Sequence, residues 1–193
     1  MELIFASSNT SKTKEIKAIL PEGWTLKNLD SLNLNIELQE TGSTLVENAL
    51  QKARQLFELS GKACFADDSG LEVDVLHGAP GVYSARYAGP ERNAQANMDK
   101  LLTEMSNATM RTARFLTVIA YIDIDGHHYL FDGKVEGRIA YQQKGQHGFG
   151  YDPLFIPEGF DQTFGELPLE VKFQLSHRTR AFEKFLQHLL LHQ

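Results

Sequence analysis

An apolar run that ends in two adjacent acids, Phe65-Ala66-Asp67-Asp68-Ser69-Gly70-Leu71-Glu72-Val73-Asp74, constrains this chain more than any other stretch. A buried strand does not need neighbouring aspartates at its end. They repel each other, and desolvating a carboxylate is costly unless something positive compensates. A divalent cation is one such compensation, and hard oxygen ligands suit Mg²⁺. The plainer use of Asp-Asp-Ser-Gly is a turn or a helix cap. Here Ser69-Gly70 is expected to break the backbone direction, and Gly78, Pro80, Gly81 and Gly89 to keep the chain turning.

The remaining segments decide between those two uses. Leu3-Ile4-Phe5-Ala6 has strand length, Ser7-Ser8-Asn9-Thr10-Ser11 is a polar loop, and Ile16, Ile19 and Leu20 mark a helix that Pro21 stops. Lys12 and Lys14 fall in that helix's first turn, where cations oppose the dipole. An anion bound at the free N–H groups would remove the conflict. Residues 24–38 alternate loosely and suit one or two strands. Thr44-Leu45-Val46-Glu47 is a capping box, Leu45, Ala49, Ala53 and Leu56 share a helix face, and Gly61 is a C-terminal cap. Glu40 lies in the loop before this helix.

Residues 92–105 read as a helix and Phe115–Ile122 as a central strand. Asp125-Gly126 is a hairpin signal, and 129–131 and 134–139 are returning strands. In Gly145-Gln146-His147-Gly148-Phe149-Gly150-Tyr151-Asp152-Pro153 the glycines let backbone approach a ligand, and Phe149 and Tyr151 are aromatics that could stack on a base. His147 has no second His or Cys at ligand spacing and reads as structural or surface. Ser176 is a natural N-cap for a last helix with Phe182, Phe185, Leu186, Leu189 and Leu190 on one face, which puts His177 and Arg178 in its first turn.

Two helix starts with misplaced positive charge, a carboxylate pair, a loop acid and a glycine–aromatic loop together meet the needs of a nucleoside triphosphate site. A net charge of -6 argues against broad nucleic-acid binding without excluding a small anionic ligand held by local cations. Cys64 is the single cysteine, so no internal disulfide forms, which suits the cytoplasm; it reads as core. Met1-Glu2-Leu3-Ile4-Phe5 lacks a basic region with a long apolar stretch behind it, and no segment approaches membrane-spanning length.

The chain resembles the inosine triphosphate pyrophosphatase family, which clears non-standard purine nucleotides such as dITP, ITP and XTP. The resemblance is carried by Ser7–Lys12 with Glu15, Glu40-Thr41-Gly42 with Glu47-Asn48-Ala49, Asp67–Leu71, Gly78–Tyr87, Phe149–Pro153 and Ser176-His177-Arg178, in order along almost the full chain. It implies an α/β fold with an elongated mixed sheet flanked by helices, two lobes framing a central cleft, residues 1–193 as one bilobed domain, and a homodimer. It implies Asp68 as general base and Glu40 and Asp68 as ligands for Mg²⁺. Ser7, Ser8, Asn9, Thr10, Ser11 and Lys12 would hold the phosphates with Ser69 beside them. Phe149, Gly150, Tyr151, Asp152, Lys172, His177 and Arg178 would line the nucleotide site. Lys12, Lys172 and Arg178 would offset phosphate charge, and His177 and Arg178 are candidate donors to the 6-oxo group. The sequence departs from the family in Ser7 for the frequent Thr, in Ser11 for a smaller residue, and in the less acidic Pro168-Leu169-Glu170-Val171 before Lys172. Two other readings keep much of this pattern: a non-catalytic nucleotide sensor, which has no need of Asp68 and Glu40, and a hydrolase for modified pyrimidine nucleotides.

Overall fold

The computed structural model describes residues 1–34 and 36–192. Its strands are β1 (Glu2–Phe5), β2 (Thr25–Asn28), β3 (Cys64–Val73), β4 (Pro80–Gly81), β5 (Thr112–Ile122), β6 (His128–Ile139) and β7 (Phe155–Pro157). Its α-helices are α1 (Thr10–Ala18), α2 (Leu45–Ser60), α3 (Ala94–Glu104), α4 (Leu169–Leu175) and α5 (His177–Leu191). The strands form a seven-stranded sheet in the order β2-β1-β3-β5-β6-β7, with β4 paired to β3 off that path. β1 pairs parallel with β2 and with β3, whereas β3–β4 and β6–β7 are antiparallel. The sheet is therefore mixed and the class α/β, as the sequence implied. No helix is long and apolar enough to cross a membrane among the described residues.

The chain divides into two compact units. The first comprises Met1–Asp68, Thr117–Gly133 and Arg178–Gln193. β1 after Glu2 and the start of β3 are buried on both faces, and alternation sorts their side chains. Leu3, Phe5, Phe65 and Ile119 face Ile16 of α1 and Phe182, Phe185 and Leu189 of α5. Ile4, Ala6, Cys64, Ala66, Ala120 and Ile122 face Ala49, Ala53 and Leu56 of α2. Phe5 and Phe65 are register partners and stack at 4.8 Å between centroids. Each such fully buried aromatic contributes about 1.5–3 kcal/mol through removal from water. At the start of α2 Thr44 accepts from Glu47 N while Glu47 accepts from Thr44 N, and Gly61 closes the helix at φ 61°.

The second unit comprises Ser69–Leu116 and Lys134–His177. Its core joins Leu71 and Val73 of β3, Met98 and Leu101 of α3, Phe115 of β5, Val135 and Ile139 of β6, and Phe155 and Phe164. Arg111 is buried and donates to the carbonyls of Ile139 (2.8 Å) and Ala140 (2.9 Å).

Three expectations change. Ser69-Gly70 does not break the backbone, because β3 continues to Val73. Gly70 is needed for close approach: a Cβ there would lie 2.4 Å from the Gly81 carbonyl oxygen on β4. The segments 129–131 and 134–139 form one continuous strand, β6. Within 24–38 only Thr25–Asn28 is strand, and Asn35 lies outside the described residues. Helix α4, which Ser176 closes by donating its N–H to Lys172 O at 2.9 Å, was not anticipated, whereas Ser176 also stands with extended backbone directly before α5, the place expected of its N-cap.

Candidate active site

Strand alternation separates the aspartate pair. Asp67 shares a face with Phe65 and Asp68 with Ala66, so the two carboxylates point to opposite sides of β3. Each meets different helices. Asp67 Oδ1 accepts from Lys12 Nζ of α1 at 2.9 Å, and Oδ2 from Arg178 Nε of α5 at 3.1 Å. Arg178 Nη1 also donates to Glu15 of α1. Asp68 Oδ2 accepts from Asn48 Nδ2 of α2 at 3.2 Å, and Oδ1 lies 3.4 Å from Lys52 Nζ. Lys52 Nζ reaches Glu40 Oε1 at 2.6 Å and the Asp67 carbonyl at 2.7 Å.

The electrostatic consequences differ as sharply. Burial pushes the Asp67 pKa up, but Lys12, Arg178 and Lys52 outweigh it and hold this carboxyl far below the usual range. For Asp68 burial dominates, Lys52 and Lys12 only partly offset it, and the group is raised above the usual range. Burial lowers Lys12 despite Asp67 beside it, whereas the carboxylates Asp68, Asp67 and Glu40 overcome burial and raise Lys52. One aspartate is thus a fixed anion. Its neighbour is shifted the opposite way.

Local sequence places the remaining groups of this unit. Asn9 caps α1 by accepting from Lys12 N at 3.0 Å, and Ser7 Oγ accepts from Asn9 N at 3.1 Å. Ser8, Asn9 and Thr10 are exposed, and Ser7, Ser11 and Lys12 are half-buried. The polar loop therefore stands at the surface, while the Lys12 ammonium that was read as misplaced at a helix start turns back onto Asp67. Gln51 and Gln55 of α2 accept from Thr41 N and Gln39 N, both at 2.9 Å, and so hold the loop that carries Glu40. Asn48 Oδ1 accepts from Gly42 N at 2.8 Å, which orients its amide toward Asp68.

Sequence reasoning missed Lys52 and Asn48 as site residues. Their signal was present: two polar residues four apart beside the apolar stripe Ala49, Ala53 and Leu56 of a helix. Glu40 and Asp68 are the acids suited to a metal ion. They offer hard oxygen donors close enough to share one ammonium group, so the donor set fits Mg²⁺.

The second unit holds a different constellation. Asp152 Oδ2 accepts from Phe149 N at 2.6 Å and from Lys172 Nζ at 2.5 Å. Lys172 is buried on α4 and sits over the Phe149 ring at 5.1 Å. Gly150 has a left-handed φ of 62°. Gly148 has φ 74°, and a Cβ on it would fall 1.9 Å from Asp152 Oδ2. Gly148→Ala should therefore displace Asp152 from Phe149 N and Lys172. The expected cost is about 1–3 kcal/mol of stability, with a rise in KM exceeding any fall in kcat, checked by urea denaturation and steady-state kinetics.

One expectation about an individual residue changes. Tyr151 does not offer a stacking face: it is 5 % exposed and donates to Ser84 O at 2.9 Å within the core. Arg178 is 2 % exposed, and its Nε and Nη1 engage Asp67 and Glu15. Lys172 likewise holds Asp152. His177 is buried with its ring stacked on Phe115 at 4.7 Å and 11°. Ser69 follows Asp68 on β3, half-buried.

Three other candidates make structural contacts. Burial pushes the Cys64 thiol up to about 12, which fits its reading as core. His147 is exposed and its Nδ1 meets Leu167 O at 2.9 Å, a structural contact. Asp123, Asp125 and His127 lie close together in the turn between β5 and β6, but Asp123 accepts there from Asp125 N (3.0 Å) and His127 N (2.9 Å), as a turn residue does.

A sequence profile described as the Ham1 family matches residues 3–188. A Flavobacterium johnsoniae protein named dITP/XTP pyrophosphatase is 47% identical over 186 residues, covering 96% of each chain. A Bacillus subtilis protein of the same name is 44% identical over 187 residues, covering 95% of this chain and 94% of its own. The solved structure of the Staphylococcus aureus Ham1 protein superposes with a TM-score of 0.89 at 39% identity, covering 100% of both chains.

Proposed function

Because the chain belongs to the Ham1 family, we propose that it hydrolyses non-standard purine nucleoside triphosphates such as dITP, ITP and XTP to the monophosphate and pyrophosphate, with residues 1–193 acting as one catalytic domain. The observation that carries this reading is the division of labour on β3: Asp67 is neutralised by Lys12 and Arg178, while Asp68 stands with Glu40 at a single cation position. A sensor needs no such pair of acids.

Glu40 and Asp68 would hold Mg²⁺, which supplies charge compensation for the polyphosphate and acidifies water. Asp68 takes a proton from the water that attacks the α-phosphorus. The bond to the bridging oxygen breaks and pyrophosphate leaves. The exposed Ser8, Asn9 and Thr10, with Ser7 and Ser11, offer hydroxyl and amide groups to phosphate oxygens, and Lys12 stands at the end of that loop. Phe149 provides the face for the base, shaped by Gly148, Gly150, Asp152 and Lys172, and His177 is assigned to the 6-oxo group. Activity as a cytoplasmic homodimer belongs to the same reading.

Pyrophosphate release from dITP, XTP, dGTP and dATP tests it. A donor aimed at O6 is left unpaired by adenine, so kcat/KM for dITP and XTP should exceed that for dATP by at least roughly 10²-fold. Equal values for all four would end the proposal. Release from none would leave the sensor, and preference for a modified pyrimidine the third reading.

A further inference from the structure

Lys52 lies where the reading above puts an ion. Its Nζ is 2.6 Å from Glu40 Oε1, 3.4 Å from Asp68 Oδ1 and 2.7 Å from the Asp67 carbonyl. An ammonium has three protons to donate, and here three oxygens receive them. The side chain is 8% exposed, and those of Glu40 and Asp68 are 20% and 11% exposed. Two carboxylates brought together at this depth repel unless a cation separates them. The chain supplies that cation from within, on the helix face that also carries Asn48.

We propose that Lys52 is a resident surrogate for the divalent ion: in the metal-free protein it holds Glu40 and Asp68 at the ready, and it must leave both before the ion binds. The inference rests on the metal assignment above and adds a coupling to it. An ammonium and a divalent cation repel and compete for the same oxygens. The protein alone therefore binds Mg²⁺ weakly, and a nucleotide whose phosphates attract the displaced ammonium strengthens Mg²⁺ binding. By linkage, Mg²⁺ strengthens nucleotide binding to the same degree. Lys52 is a positioning residue in this scheme.

The test uses the full chain without nucleotide. Mg²⁺ is titrated by calorimetry into wild type, Lys52→Met, Lys12→Met and the double variant Lys52→Met/Glu40→Gln, and thermal midpoints are taken with and without Mg²⁺. Removing the competitor should tighten Mg²⁺ binding about tenfold in Lys52→Met, the scale of one charge-assisted hydrogen bond. Mg²⁺ should also raise the midpoint of Lys52→Met more than that of wild type. Lys12→Met removes the cation that pairs with Asp67 on the other face of β3 and should gain far less. Equal Mg²⁺ affinity in wild type and Lys52→Met, or an equal gain in Lys12→Met, overturns the displacement while leaving the metal assignment standing. Tight binding retained in the double variant overturns both. If Lys52→Met is unfolded without metal, recovery of its circular dichroism by Mg²⁺ supports the proposal, and failure to recover rejects it.

Discussion

Asp68→Asn should lower kcat for dITP by about 10³–10⁴-fold while the protein stays folded, since a positioned base is worth up to that range. The fold tolerates the change for a specific reason. Burial already raises the Asp68 pKa, so a neutral side chain of the same shape removes a charge that the fold only partly compensates. Glu40 keeps its 2.6 Å contact with Lys52, and the new amide oxygen can accept from Asn48 Nδ2 as the carboxylate did. Circular dichroism should show unchanged secondary structure and single-turnover assays a loss in the chemical step. Turnover within tenfold of wild type would remove Asp68 from the role of base.

Arg178→Met should cost about 3–5 kcal/mol of stability, read from the urea midpoint by circular dichroism, because it leaves buried carboxylates without their partner. Arg178 and Asp67 have side chains 2% and 1% exposed, and Glu15 on the other guanidinium nitrogen is 8% exposed. Lys12 remains beside Asp67, which keeps the loss within that range and short of abolishing folding. The pH dependence follows from the sign of the shift. The Asp67 pKa is depressed in the folded state, so its stabilisation is present above the ordinary aspartate range and fades as pH falls toward its folded value. The gap between wild type and variant should therefore be widest near neutrality and narrow in acid. A gap below about 1 kcal/mol at neutral pH would be that of a surface pair, and would refute the buried anchor.

Elements with their own periodicity were legible before the structure. The capping box and stripe of α2, the β1–loop–α1 unit and the strand over Phe115–Ile122 stand as the sequence implied. What misled were residues whose role depends on a distant partner. Gly70 reads as a breaker, yet it serves the approach of Gly81 eleven positions on. The aspartate pair reads as two like charges needing a metal, because the cations that settle Asp67 come from 55 and 111 residues away. Helix α4 has seven residues and spends one buried position on Lys172, so it shows little helical period. Tyr151 reads as a stacking face because its partner too is distant: the carbonyl that takes its hydroxyl, Ser84 O, lies 67 positions away.

The opposite facing of Asp67 and Asp68 ties chemistry to parity. Gaining or losing one residue between Cys64 and Asp67 would invert the pleat downstream and turn each carboxylate toward the other's helices. A two-residue change would preserve which side each faces yet move both along the strand, away from their helices. A β3 slipped by one residue would misplace both carboxylates at once.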